Sequence, residues 1–272
     1  MTATISSLTE STTPPKAFAE RSQPQITIRS LKKSFHGAPL YNGLDLDFTK
    51  GRITAIFGPN GCGKSTLINM VSGLIPIDSG SILFDGKTLQ ETTIGYVFQN
   101  YRDALYPWMR AIDNIKYPLI IKKWQKERIE KRIETLIESF DVAFDLNAYP
   151  YELSGGQQQL VSIMRALAPE PEVLFLDEPF SALDYEMTLF IREKLQEIFR
   201  LTEVTMVLVS HDLEEAVYMA DEILLLSKRP TRIVEKVPFT ADRPRRTATL
   251  STKEFVDTKA LCLDIFQEEV KR

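Results

Sequence analysis

The residues Gly58-Pro59-Asn60-Gly61-Cys62-Gly63-Lys64-Ser65-Thr66 have the types and spacing to hold a polyphosphate. They fit G-x-x-x-x-G-K-[ST], in which glycines let backbone N–H groups turn inward around phosphate oxygens. The helix that must follow brings about half a positive charge at its N-terminus. Lys64 has the reach for the outer phosphates, and the Ser65 hydroxyl suits Mg²⁺. Two acids, Asp177 and Glu178, end the apolar run Val173-Leu174-Phe175-Leu176. A strand-end carboxylate near such a loop can hold Mg²⁺ directly or through water, which suits Asp177. Glu178, one residue on, suits the polarising of a water for attack on a γ-phosphate. Standing alone, an acidic pair of this kind is often a solvated turn; beside the phosphate loop it favours chemistry. The pattern points to binding of a nucleoside triphosphate with Mg²⁺.

Three other stretches carry chemistry. Leu153-Ser154-Gly155-Gly156-Gln157 precedes a helical pattern with Leu160, Ile163 and Met164. A hydroxyl and glycine N–H groups at a helix start make a second anion site on the same chain. Gln99 ends a strand pattern, where its amide can meet the metal or an attacking water. His211 follows the apolar stretch 204–209 through Ser210, and that strand-end place favours a phosphate contact over a core histidine.

These residues need a frame. Ile53-Thr54-Ala55-Ile56-Phe57 reads as a buried strand ahead of the phosphate loop, with Leu67, Met70 and Val71 at helical spacing after it. Alternating strands are expected at Ile26-Thr27-Ile28-Arg29 and Leu44-Asp45-Leu46-Asp47-Phe48. Further strands are expected at 81–84 and 94–98, with Asp85-Gly86 a turn signal between them. Between about 101 and 168 helical signals take over; Ile129, Ile133, Leu136, Ile137 and Phe140 form one apolar, core-facing stripe. Strand–helix alternation then returns, with central parallel strands at 173–176 and 204–209 and a helix around 186–200. The fold class expected is α/β: a mainly parallel sheet core, an N-terminal antiparallel β part and an inserted helical subdomain. Residues 1–24, rich in Ser, Thr and Pro, read as a disordered tail. The span 25–246 reads as the nucleotide-binding domain and 247–272 as a C-terminal amphipathic helix.

The chain has 272 residues, a formal net charge of -4 and two cysteines, Cys62 and Cys262. The charge gives no support to a nucleic-acid partner, which usually leaves a basic footprint. No apolar run approaches the ~18 residues of a membrane-spanning helix. Two distant cysteines, one inside the phosphate loop, suggest free thiols in a reducing cytosol.

Taken together, the motifs resemble the nucleotide-binding subunit of ATP-binding cassette transporters over roughly residues 26–246. The resemblance implies a P-loop NTPase core in which residues 58–66 form the Walker A loop and Asp177 with Glu178 ends Walker B. It makes Leu153-Ser154-Gly155-Gly156-Gln157 the family signature, Gln99 the Q-loop glutamine and His211 the switch histidine. Ser181-Ala182-Leu183-Asp184 becomes the D-loop, and Phe35 the aromatic that stacks on adenine, with an ordinary strand-edge core residue as the competing view. His36 has no matching role. The resemblance implies ATP and Mg²⁺, with Ser65, Gln99 and Asp177 around the metal and Glu178, His211 and Gln99 catalytic. It further implies two such subunits paired head to tail, as a homodimer or with a similar ATPase subunit, ATP lying between the loop of one and the signature of the other. A separate transmembrane permease, an extracytoplasmic solute-binding protein and a peripheral place on the cytoplasmic face of the inner (plasma) membrane follow from the same resemblance.

A narrower likeness rests on Pro107-Trp108, on Arg229-Pro230 with Arg232-Ile233-Val234, and on Arg243-Pro244-Arg245. These resemble the nitrate/sulfonate/taurine/bicarbonate importer branch. Tyr106, Gln158 and Leu160 depart from it, standing where that branch commonly has leucine and two arginines. The alternatives are an exporter subunit, or a non-transport cassette ATPase, which usually carries insertions not found here. Two residues stay open at this level. Cys62 is either a thiolate favoured by Lys64 and the helix N-terminus or an unreactive small residue. Trp108 is either an anchor for a partner helix or core of the helical subdomain.

Overall fold

The computed structural model describes residues 23–181 and 183–271. The expected tail lies outside the described residues as far as residue 22, as does Ala182 of the D-loop. Pro24 is no part of a tail: it opens the first strand and pairs with Thr49. Strands β1 (Pro24–Phe35) and β2 (Ala38–Thr49) form an antiparallel hairpin. Its turn residues, His36 and Gly37, have φ of 50° and 80°. Two positive φ values in a row give the mirror-image turn whose twist suits a hairpin. Alternation then buries Ile26, Ile28, Leu44, Leu46 and Phe48 on one face. Strand β4 (Ser79–Phe84) joins the other edge of β1, giving the order β2-β1-β4.

The second sheet has six strands. These are β3 (Ile53–Phe57), β5 (Ile94–Val97), β6 (Val173–Asp177), β7 (Thr205–Val209), β8 (Glu222–Leu226) and β9 (Ile233–Pro238), in the order β5-β6-β7-β3-β8-β9. Every pairing is parallel except that of the edge strand β9. All residues of β3, β6 and β7 are buried, which is why these strands read as nearly continuous apolar runs. Since β3, β6 and β7 are parallel neighbours, the loops leaving their carboxyl ends emerge on one sheet edge, where open α/β sheets bind ligands.

Helix α1 (Lys64–Val71) follows β3 directly. Between β5 and β6 lie α2 (Tyr101–Ala104), α3 (Ala111–Ile121), α4 (Lys126–Ser139) and α5 (Gly155–Leu167). The apolar stripe of α4 faces inward, with Ile129, Ile133, Leu136 and Phe140 buried. Helices α6 (Tyr185–Thr202), α7 (Leu213–Met219) and α8 (Lys253–Lys271) complete the chain.

One local expectation changes. The strands on either side of Asp85-Gly86 belong to different sheets; the turn only folds Lys87 back onto Phe84 through paired backbone hydrogen bonds of 2.8 Å. Strands β8 and β9 and helix α7 carry no expectation from sequence, because the short apolar run 223–226 has no period that separates strand from helix.

The Arg243-Pro244-Arg245 stretch explains how α7 is held. Arg245 is 1% exposed and donates to the carbonyls of Val217, Tyr218 and Ala220 at the end of α7 and to Phe239 O. Arg243 pairs with Asp221 at 2.7 Å, and Arg245 reaches the same carboxylate at 3.4 Å. The other Asp221 oxygen accepts from Ile53 N at 2.9 Å, at the start of β3. One partly buried carboxylate therefore joins β3, the end of α7 and the chain after β9. Burial lowers the Arg245 pKa, and the Asp221 charge opposes that shift.

Candidate functional site

The phosphate loop is shaped by groups on its outer side. Lys64 Nζ donates to Gly58 O at 2.9 Å and Pro59 O at 3.3 Å, closing the loop across its mouth. Three successive carbonyls are drawn outward by side chains from elsewhere. Arg229 Nε donates to Gly61 O at 2.6 Å, Thr231 Oγ1 to Cys62 O, and Tyr41 OH to Gly63 O at 3.0 Å. A carbonyl held outward leaves its neighbouring N–H groups inward, the arrangement an anion needs. Gly63 caps α1 with φ 107°, and a Cβ there would lie 2.9 Å from Leu40 Cδ1. Only glycine fits that backbone under the β2 strand.

Cys62 lies in this loop but is 1% exposed, its thiol packed with the core of the antiparallel β part. Burial pushes its pKa up, against the smaller opposite pull of Lys64. The thiolate reading is thus corrected: desolvation outweighs the nearby positive charge.

At the ends of β6 and β7 the candidate residues converge. Ser65 Oγ donates to Asp177 Oδ1 at 2.8 Å. Asp177 is 6% exposed, and burial, opposed by the Ser65 hydrogen bond, raises its pKa. Tyr96 OH, from β5, donates to Asn69 Oδ1 at 2.6 Å and approaches Asp177 Oδ2 at 3.5 Å. Glu178 takes a left-handed φ of 47°. Gln99 Nε2 donates to Glu178 Oε2 at 2.9 Å, and His211 Nδ1 lies 3.0 Å from the same oxygen. His211 is held on both flanks. Ser210 Oγ donates to Glu215 Oε2 at 2.8 Å, and Asp212 caps α7 through Glu214 N and Glu215 N.

The donor set fits a divalent cation of the Mg²⁺ type. A buried, desolvated carboxylate and a hydroxyl supply two hard oxygens, and Mg²⁺ takes few protein oxygens when phosphates supply the rest. No group of three or more His, Cys, Asp or Glu side chains able to hold a metal occurs among the described residues. Gln99 has its NH₂ on Glu178, which leaves its carbonyl oxygen for a metal.

Ser154, Gly155, Gly156 and Gln157 stand apart from this cluster. Ser154 caps α5 and forms a reciprocal box with Gln157, Ser154 N donating to Gln157 Oε1 at 2.9 Å. A Cβ on Gly156 would lie 2.6 Å from Met187 Cγ, and one on Gly155 2.8 Å from Tyr101 OH, so either addition would displace a neighbouring side chain. Asp184 caps α6 by accepting from Met187 N at 2.8 Å. Among the described residues no hydrogen bond joins 154–157 to 58–66. Phe35 lies at the hairpin tip, 39% exposed with Lys33 Nζ 5.2 Å from its ring, so it is no core residue; His36 is exposed beside it.

Trp108 is 72% exposed, which overturns the core reading. Its display has a cause that sequence did not reveal. Asn114, fully buried on α3, accepts from Tyr106 N at 2.8 Å and donates to the carbonyls of Tyr106, Met109 and Arg110, each at 3.1 Å. The Tyr106 ring packs 5.5 Å from Trp108 and 5.2 Å from Tyr117. A cleft of about 510 Å³, lined by Leu74, Ile75, Phe98, Gln99 and Asp103 among others, also reaches Asp177. Tyr41, Arg229 and Thr231 were likewise missed as loop-shaping residues, Arg229 appearing only as part of a family pattern.

A family model described as ABC transporter matches residues 41–181, just over half of the chain. The sulfate/thiosulfate import ATP-binding protein CysA of Neisseria meningitidis is 38% identical over 211 residues, covering 74% of this chain and 58% of that protein. The spermidine/putrescine import ATP-binding protein PotA of Haemophilus influenzae is 37% identical over 213 residues, covering 76% and 57%. The chain thus spans less than two thirds of the length of these relatives. Among solved structures, a dimeric bacterial ABC transporter cassette superposes with a TM-score of 0.70 at 28% identity, covering 80% of this chain and all of the cassette. A second structure of that cassette is a dimeric post-hydrolysis state bound to ADP and Pi. From its phosphate loop, strand-end acids and shared fold, the chain belongs to the ABC transporter family.

Proposed function

We propose that the chain is the ATP-hydrolysing subunit of an ABC importer. The observation that carries this reading is the meeting of Gln99 and His211 on Glu178 Oε2, one residue from the Ser65–Asp177 contact. Lys64 leaves the Gly58 and Pro59 carbonyls to bind the outer phosphates, while inward N–H groups hold the others. Ser65 and Asp177 would hold Mg²⁺, which neutralises phosphate charge when bound. Glu178 accepts the proton of the attacking water, oriented by Gln99 and His211, and Phe35 stacks on the adenine. Ser154 and Gly156, away from their own loop, cover the γ-phosphate bound by a second copy or a similar subunit, with Gly155, Gln157 and Asp184 at that interface. ATP then joins the two subunits and hydrolysis frees them. The test compares ATP binding and Mg²⁺-dependent hydrolysis of the wild type with Lys64→Ala, which is expected to lose productive binding. Normal hydrolysis by that variant sinks the assignment.

Transport needs a separate membrane-spanning permease, since among the described residues no helix is long and apolar enough to cross a membrane. The chain then sits peripherally on the cytoplasmic face of the inner membrane, and import calls for a solute-binding protein outside. The solute proposed is a small anion or organic solute of the nitrate, sulfonate, taurine or bicarbonate type, on the Pro107-Trp108, Arg229-Pro230 and Arg243-Pro244-Arg245 patterns. The sulfate and polyamine relatives match about equally well, so overall similarity does not choose between anion and cation. Uptake by a deletion strain over these anions decides it; a defect confined to polyamines overturns the anion reading.

The exposed Trp108, in the segment whose backbone Asn114 ties down, fits an anchor for a permease helix. Trp108→Ala should leave the melting temperature and basal ATPase of the isolated subunit near wild type. Co-purification with the permease should fail, since such anchors contribute about 2 kcal/mol or more at interfaces. An early-melting isolated variant, or one that assembles normally, counts against the anchor.

A further inference from the structure

The loop 227–232 between β8 and β9 is tied on both sides. Inward, Arg229 and Thr231 take the Gly61 and Cys62 carbonyls of the phosphate loop. Thr231 is 4% exposed, and its N–H donates to Leu40 O at 2.7 Å, beside Tyr41. The loop is closed on itself, with Ser227 N donating to Arg232 O at 3.0 Å and Arg232 N to Ser227 Oγ at 2.9 Å. Outward, it is fastened to the last turns of α8. Arg232 pairs with Glu269 at 2.9 Å, the Glu269 side chain being 9% exposed, and Lys228 Nζ donates to Val270 O. A cation on a terminal helix carbonyl is a favourable contact. The same end of α8 places Phe266 against Phe57, the residue before Gly58, with ring centroids 5.1 Å apart.

We propose that this loop is a brace through which the seating of α8 sets the shape of the phosphate loop, with Arg229, Thr231 and Glu269 as positioning residues for nucleotide binding. The proposal rests on the nucleotide-binding reading of residues 58–66. Rotating a loop carbonyl inward places its oxygen where a phosphate oxygen must lie and removes an N–H donor from it. Losing a brace contact therefore weakens phosphate binding while leaving Glu178, Gln99 and His211 in place. The helix end remote from the chemistry thereby controls nucleotide affinity.

The experiment uses the full chain. ATP binding is measured by calorimetry in EDTA, where turnover is absent, and KM and kcat with Mg²⁺, for wild type, Thr231→Val, Arg229→Gln and Glu269→Gln. Arg229 is exposed, so its variant folds even if a buried substitution does not. Thr231→Val and Glu269→Gln are expected to raise Kd and KM together by about 3- to 10-fold, the worth of one or two hydrogen bonds. Their kcat should stay within roughly twofold. Arg229→Gln, which keeps an N–H donor without the charge, should fall between these variants and wild type. If the wild type binds ATP and Glu269→Gln binds it equally well, the brace is refuted. A lowered melting temperature or kcat with unchanged KM also refutes it, since that is a merely structural effect. A wild type that binds no ATP overturns the nucleotide reading itself, and the brace with it.

Discussion

Glu178→Gln is expected to keep ATP bound while turnover falls by roughly 10²–10⁴, the usual worth of a general base. The substitution is nearly isosteric, and a glutamine Oε1 still accepts from Gln99 Nε2, so the geometry around His211 is retained. What is lost is a carboxylate able to take a proton. With hydrolysis blocked, the variant should accumulate as an ATP-bound dimer through Ser154 and Gly156 of the facing subunit. Size-exclusion chromatography with ATP and Mg²⁺ reads this directly. Only monomer for a variant that binds ATP would refute the sandwich, and near-normal turnover would remove Glu178 from the base role.

Arg245→Ala is expected to be the most destabilising change outside the nucleotide site. Its guanidinium is buried against Asp221 and several backbone carbonyls. Truncation takes that donor from those carbonyls and leaves the carboxylate with Arg243 as its cation partner. Breaking a buried pair on one side costs about 3–5 kcal/mol, or roughly 6–20 °C in melting temperature for a domain of this size. Arg29, paired with Asp47 at 2.6 Å, is the comparison: both side chains are more than two fifths exposed. Arg29→Ala should cost no more than about 1 kcal/mol. Equal melting of the two variants would show that the Asp221 junction does not hold α7. Because α7 carries the residues behind His211, a lowered melting temperature should come with a lower kcat.

The phosphate loop, the acids at the end of β6 and the capped start of α5 were legible because each is a contiguous motif whose residue types and spacing carry the signal. Glycine spacing, a strand before and a helix after suffice to recognise Gly58 to Thr66. The nearly all-apolar runs of β3, β6 and β7 disclosed a sheet covered on both faces for the same reason, since burial on two sides leaves its mark along the whole strand. Other features are decided by contacts between residues far apart in the chain. Tyr41 and Thr231 reach Gly63 and Cys62 across separations of 22 and 169 residues, and neither has a local pattern. Cys62 stands among positive groups in sequence, yet desolvation by its surroundings determines its ionisation. Trp108 is exposed because Asn114 ties down the loop beneath it. Arg245 is buried because Asp221 and the end of α7 receive it. Charge, hydrogen-bond supply and exposure at these positions are sums over neighbours in space, and only the packed chain brings those neighbours together.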